Sequence, residues 1–148
     1  MNLIWHFKRF DELTPTELYK IIQLRIHVFV VEQNCPYEDC DDKDFKSKHL
    51  WCESDNQVVA YCRILPANIS YSEISIGRVV THPKFRDKKL GHELMRHSLQ
   101  IISNHFNTNE VRISAQAHLK NFYEKHGFNQ VSEEYLEDNI PHIEMLRN

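Results

Sequence analysis

The sequence predicts an α+β fold: a mixed, mostly antiparallel sheet flanked by helices. Three observations carry this. Apolar runs of strand length recur from one end of the chain to the other, two segments repeat apolar residues at helical spacing, and the connections mix a tight hairpin with helical crossovers. A chain of 148 residues has room for one domain, 1–148, and can bury enough apolar surface to fold without staples.

The elements follow in order. Residues 3–10 alternate well enough for a first strand. Thr14-Pro15 then supplies an N-cap and a first-turn proline, with Glu17 at the capping-box position. Leu18, Ile21, Ile22, Arg25, Val28 and Phe29 continue this helix until Asn34-Cys35-Pro36-Tyr37 stops the pattern. Residues 38–48 read as an acidic loop. Runs at 49–53 and 58–65, separated by Ser54-Asp55-Asn56-Gln57, have hairpin spacing. A strand at 74–80 ends at Thr81-His82-Pro83. Leu90, Leu94, Met95, Leu99, Ile101 and Ile102 mark a long amphipathic helix. After a strand at 111–115, Leu119, Phe122 and Tyr123 line a short helix closed by Gly127, and strands at 128–131 and 142–146 finish the sheet.

Composition narrows the function. A net charge of −3 provides no general basic footprint, so no nucleic-acid partner is expected. No apolar run approaches the ~20 residues of a membrane span, and the first residues lack a basic-then-apolar signal, so a cytoplasmic protein without a membrane partner is expected. Cys35, Cys40, Cys52 and Cys62 then read as reduced thiols. With His49 they give C-x4-C-x8-H-x2-C, which matches no compact zinc motif, so no metal is expected.

The informative stretch is 74–92, a strand, a short loop and a helix start. Free N–H groups at a helix start bind phosphate oxygens, and Arg86, Lys88 and Lys89 add cations there. Cations at a helix amino-terminus oppose the dipole by ~0.3–1 kcal/mol each, a conflict that an anion removes. Gly91, without a Cβ, is expected to let a pyrophosphate approach the backbone.

Arg86-x-x-Lys89-x-Gly91 resembles the R/Q-x-x-G-x-G/A acyl-CoA loop of the GNAT superfamily, with His82-Pro83 before it as in many members. Asn121-Phe122-Tyr123-Glu124-Lys125-His126-Gly127-Phe128 resembles that family's F/L-Y-x-K-x-G-F element. The blocks Leu24-Arg25-x-x-Val28-Phe29, Gly77-Arg78-Val79, Ala115-Gln116-Ala117-His118 and Ile140-Pro141-His142-Ile143 resemble the bacterial ElaA-like subfamily, so that the likeness spans nearly the whole chain. Lys89 departs from the family by standing at the first loop glycine, Gln116 by standing where many members have asparagine, and Ser75 by standing where a glutamate base is common.

The resemblance implies a GNAT fold splayed between its fourth and fifth strands, and an N-acetyltransferase moving the acetyl group of acetyl-CoA to an amine on a small molecule or peptide. It implies cofactor contacts at Val79, Val80, Thr81, Arg86, Asp87, Lys88, Lys89, Leu90, Gly91, His92, Gln116 and Asn121. Tyr123 is implied as general acid, and an N–H such as that of Val80 as oxyanion donor. Glu32, Glu73, His142 and Glu144 are the candidate bases, with Glu32 and His142 foremost. Arg25, Glu32, Arg78 and His142 are candidates for acceptor binding. Arg25 and Arg78 lie in apolar stretches and require partners, for which Glu32 is a candidate. Two other readings stand beside this one: an enzyme like the acyl-homoserine-lactone synthases, and a non-catalytic acyl-CoA-binding module. The acceptor and the oligomeric state, homodimer included, are left open by the sequence.

Overall fold

The computed structural model describes residues 2–148. Strand β1 (Ile4–Arg9) leads to helix α1 (Pro15–Arg25), whose first turn is fixed as the capping box requires. Thr14 Oγ1 accepts the Glu17 N–H at 3.1 Å and Glu17 Oε1 accepts the Thr14 N–H at 2.9 Å. The helix does not stop at Arg25. It widens into a π-helical stretch (Ile26–Glu32) with i to i−5 bonds, Gln33 N–H to the Val28 carbonyl and Cys35 N–H to the Val30 carbonyl. Asn34, in the left-handed region at φ 51°, turns the chain away.

Strands β2 (Lys48–Ser54) and β3 (Gln57–Leu65) form the expected hairpin. Asp55 and Asn56 both take positive φ, the geometry of a two-residue turn that matches strand twist. Strand β4 (Ser75–Thr81) completes an antiparallel sheet of order β1-β2-β3-β4. A 3₁₀ turn (Pro83–Lys88) leads into helix α2 (Leu90–Phe106). A second antiparallel sheet contains β5 (Val111–Gln116), β8 (Ile140–Arg147) and β6 (Asn129–Gln130), with helix α3 (Lys120–Glu124) between β5 and β6. The short strand β7 (Tyr135–Glu137), absent from the sequence reading, pairs with β8 through a turn at Asp138 and Asn139, again both at positive φ.

The two sheets meet at one parallel bridge, Ile74 to Val111, where the Arg112 N–H donates to the Ile74 carbonyl at 3.0 Å. Beyond it β4 and β5 separate, so the splay expected at the fourth and fifth strands is present. Strand alternation assigns the helices to opposite faces. Ile21, Leu24 and Val28 pack on Trp51, Tyr61 and Val80, while Leu90, Leu94, Met95 and Ile102 pack on Leu50, Cys52, Cys62 and Ile76. No helix among the described residues is long and apolar enough to cross a membrane.

Candidate active site

The gap between β4 and β5 opens into a cavity of about 730 Å³, whose walls include Val79, Arg78, Gln116, Tyr123, Glu137 and His142. Which backbone groups face it follows from register. His82 donates its N–H to Val59 on β3, and Val80 lies opposite Tyr61, so by two-residue alternation the Val80 N–H also points at β3. Val80 therefore cannot offer that N–H to a ligand as expected. The N–H groups of Val79 and Thr81 face the gap instead. A register shift in the β3–β4 pairing, with Arg78 at φ 51°, sets the strand up for this: the bulge turns the chain just before Val79.

Below the gap lies the helix start that the sequence singled out. Lys89 adopts φ 57° and ψ 25°, the left-handed conformation, which explains why a glycine suits this position in the family pattern. No side chain caps α2, so the N–H groups of Leu90, Gly91 and His92 are left without a side-chain acceptor, and Lys88 and Lys89 are exposed beside them. This arrangement fits phosphate oxygens. Asp87 is exposed in the same turn, and Asn121 is exposed on α3. At Gly91 a Cβ would meet Phe122 at 3.4 Å and Thr81 Cγ2 at 3.9 Å, ordinary van der Waals contact with the side chains of α3 and β4.

Arg86 is engaged by Glu32, Nη2 to Oε1 at 2.5 Å and Nη1 to Oε2 at 2.9 Å. The Arg86 hydrogen bond, with its charge, holds the Glu32 carboxyl below its usual range, which makes Glu32 a poor base. Two further candidates fail alike. Arg112 grips Glu73 with two bonds of 3.0 Å and reaches Glu144 at 3.1 Å, and its bonds hold the Glu73 carboxyl low. His142 is left. It is buried at the cavity wall, and its Nδ1–H donates to the Ile140 carbonyl at 2.7 Å, so the lone pair of the uncharged ring is on Nε2.

Tyr123 is buried between Phe122 and Phe128, edge-to-face with both, and its ring reaches the cavity. Burial drives its hydroxyl pKa up, with Cys62 nearby adding to the effect, so the proton stays on the oxygen at neutral pH. Gln116, the cross-strand partner of His142, meets Gln33 at 3.4 to 3.5 Å.

The two arginines expected to bind acceptor have other work. Arg25 is fully buried and pairs not with Glu32 but with Asp39 and Asp44, both at 2.8 Å, so no acceptor can reach it. Arg78 lies 2.9 Å from Asp39 and 3.3 Å from Asp41 and covers the Tyr37 ring. Arg63 joins Asp41 at 2.6 Å and Asp44 at 3.0 Å. The segment read as a solvated acidic loop is thus the ionic floor of the cavity. Through Asp39, Asp41 and Asp44 it holds β3, β4 and α1 together. The signal was present: three arginines in apolar runs need several carboxylates, and no other segment supplies as many so close together. Cys35, Cys52 and Cys62 are buried, Cys40 is exposed, and no group of metal-ligating side chains gathers among the described residues.

Comparison with known proteins accords with this geometry. The chain is 42% identical over 145 residues to the protein ElaA of Escherichia coli, covering 97% of this chain and 95% of that protein. The crystal structure of Escherichia coli ElaA superposes with a TM-score of 0.93 at 40% identity, over 99% of this chain and all of that one. An acyl-CoA N-acyltransferase from Pseudomonas aeruginosa superposes with a TM-score of 0.92 at 44% identity, over 98% of this chain and 99% of that one. The family model described as acetyltransferase (GNAT) domain matches residues 19–147, and the chain, an acyltransferase with a GNAT fold, belongs to the GNAT acetyltransferase family.

Proposed function

We propose that this acyltransferase moves an acetyl group from acetyl-CoA to an amine on a small molecule or peptide, with Tyr123 as acid and His142 as base. The observation that carries this reading is that Tyr123, His142 and the gap-facing end of β4 line one cavity. The N–H groups at the start of α2, with Lys88 and Lys89, would hold the pyrophosphate. Val79 and Thr81 would hold the pantetheine arm and the acyl carbonyl by their N–H groups. Acetyl-CoA supplies a thioester that an uncharged amine attacks directly, with coenzyme A leaving as a thiolate.

The chain's own residues then do three things. The Val79 N–H, fixed by the bulge, donates to the carbonyl oxygen as negative charge gathers there, and because it is already oriented it needs no reorganisation. Tyr123 keeps its proton until the departing thiolate takes it. His142 Nε2 accepts a proton from the acceptor nitrogen.

An acceptor screen that follows free thiol release from acetyl-CoA tests this directly. Release that depends on an amine, with a matching acylated product, is the expected result. Binding of coenzyme A with no thioester cleavage across a broad amine panel would make the protein a non-catalytic binding module. A lactone formed in the presence of S-adenosylmethionine would make it a synthase instead.

A further inference from the structure

Glu137 and His142 present two acceptors to one point of the cavity. His142 Nδ1 donates to the Ile140 carbonyl at 2.7 Å, so the uncharged ring has a lone pair on Nε2, and that atom lies 3.5 Å from Glu137 Oε2. The distance is beyond a normal hydrogen bond, and in that form of the ring neither atom carries a proton to share. Glu137 is nonetheless held in place through its other oxygen. Tyr135 donates its hydroxyl to Ser114 Oγ at 2.5 Å, and Ser114 donates to Glu137 Oε1 at 3.0 Å. A carboxylate and the lone pair of an uncharged imidazole converging on one point complement a cationic donor, and an ammonium carries three N–H groups.

The charges around the cavity agree. Arg63 and Arg78 in its wall are matched by Asp39, Asp41 and Asp44. Glu38, Glu137 and Asp138 have no lysine or arginine partner among the described residues, and Lys43, bonded to Ser70, is the cation of the wall that no carboxylate pairs with. The unmatched charge of the wall is therefore negative.

We propose that Glu137 binds the acceptor as its ammonium and holds the nitrogen beside His142 Nε2, which makes alkyl amines cationic at neutral pH the substrate class. This rests on the amine-acylation reading above. The ammonium passes one proton to Nε2, and the freed lone pair forms the C–N bond as the C–S bond breaks. The thiolate takes the Tyr123 proton, the second nitrogen proton restores it through solvent, and His142 returns its own to solvent. One proton is released per acyl group transferred.

The test uses Glu137→Gln, which keeps an oxygen for Ser114 and removes the charge. The ring signals of His142, identified by their loss in His142→Asn, are followed by NMR while 1,4-diaminobutane is added without acetyl-CoA. A saturable shift in the wild type that is weakened at least about tenfold in Glu137→Gln is expected, since a charge-assisted bond is lost. No shift in the wild type, or an equal shift in both proteins, overturns the proposal. In turnover, KM should rise in Glu137→Gln for amines charged at the assay pH, with kcat and the KM for acetyl-CoA nearly unchanged, and should not rise for 4-methoxyaniline, which is uncharged there. Equal effects on charged and uncharged amines would also overturn it. If diaminobutane shifts His142 as expected yet no amine is acylated, the binding inference stands and the acyltransfer reading falls.

Discussion

On the proposed reading, Tyr123 serves both packing and chemistry. Its ring is locked by Phe122 and Phe128, and burial keeps its hydroxyl protonated across the neutral range. Tyr123→Phe retains the ring, so the fold should hold while kcat falls by at least about tenfold, the low end of general acid catalysis. Coenzyme A affinity measured by calorimetry should not change. Wild-type turnover where chemistry limits the rate would reduce Tyr123 to a packing residue. Lys89 is the second case, a long side chain held at φ 57°. A non-glycine residue pays roughly 1–2 kcal/mol in this region, so Lys89→Gly should be more stable than Lys89→Ala by about 1 kcal/mol in denaturant unfolding. Equal stability of the two variants would mean that residue 89 does not hold the left-handed conformation in solution. The tyrosine and the loop lysine were legible from the motifs alone, because each motif is local. Glu137 was not, because nothing nearby in sequence marks it; it acquires meaning only through the hairpin that brings it to His142.

At the scale of elements, Gly91 lies where α2, α3 and β4 meet, with Phe122 in ordinary contact distance of its missing side chain and Tyr123 next to Phe122. Gly91→Glu would bring a carboxylate to the helix start, where it competes for the N–H groups and repels a phosphate. Coenzyme A affinity by calorimetry should fall at least about tenfold, and unchanged affinity in a folded variant would move the phosphate site elsewhere. The helices and most strands were legible because hydrophobic period and capping residues are short-range signals. Strand β7 escaped because three residues are too few to show a period, although Asp138-Asn139 is a turn pair of the same kind as Asp55-Asn56. The π-helical widening after Arg25 also escaped, since apolar spacing alone does not distinguish i−4 from i−5 bonding.

Across the whole molecule, the cluster of Arg25, Arg63 and Arg78 with Asp39, Asp41 and Asp44 ties α1, β3 and β4 to the loop below the cavity. Burial alone would raise the Asp44 and Asp41 carboxyls, but hydrogen bonds and charge, from Arg25 and Arg63 for Asp44 and from Arg63 and Arg78 for Asp41, pull both below their ordinary 3.8. A carboxyl depressed in the folded state adds stability that is complete above its unfolded pKa and is lost as pH falls through the folded one. Asp44→Asn leaves buried guanidinium groups underpaired and should cost about 3–5 kcal/mol at pH 7. In denaturant unfolding, the gap between wild type and variant should hold from pH 8 to about 5 and shrink below 3.8, where Asp44 protonates in the unfolded chain while the folded carboxyl, held lower, is still ionised. A gap that persists undiminished to pH 3 would show that the aspartate acts through packing rather than charge. The sequence by itself determined the α+β order, since this follows from local period and capping, while the resemblance of its motifs to the GNAT family implied the splay between β4 and β5. Only the tertiary structure decided which acids meet which arginines, which N–H groups face the gap, and that His142 alone of the candidate bases lies clear of an arginine. These are contacts between residues 14 to 54 positions apart, where geometry in space selects the partner and spacing along the chain does not.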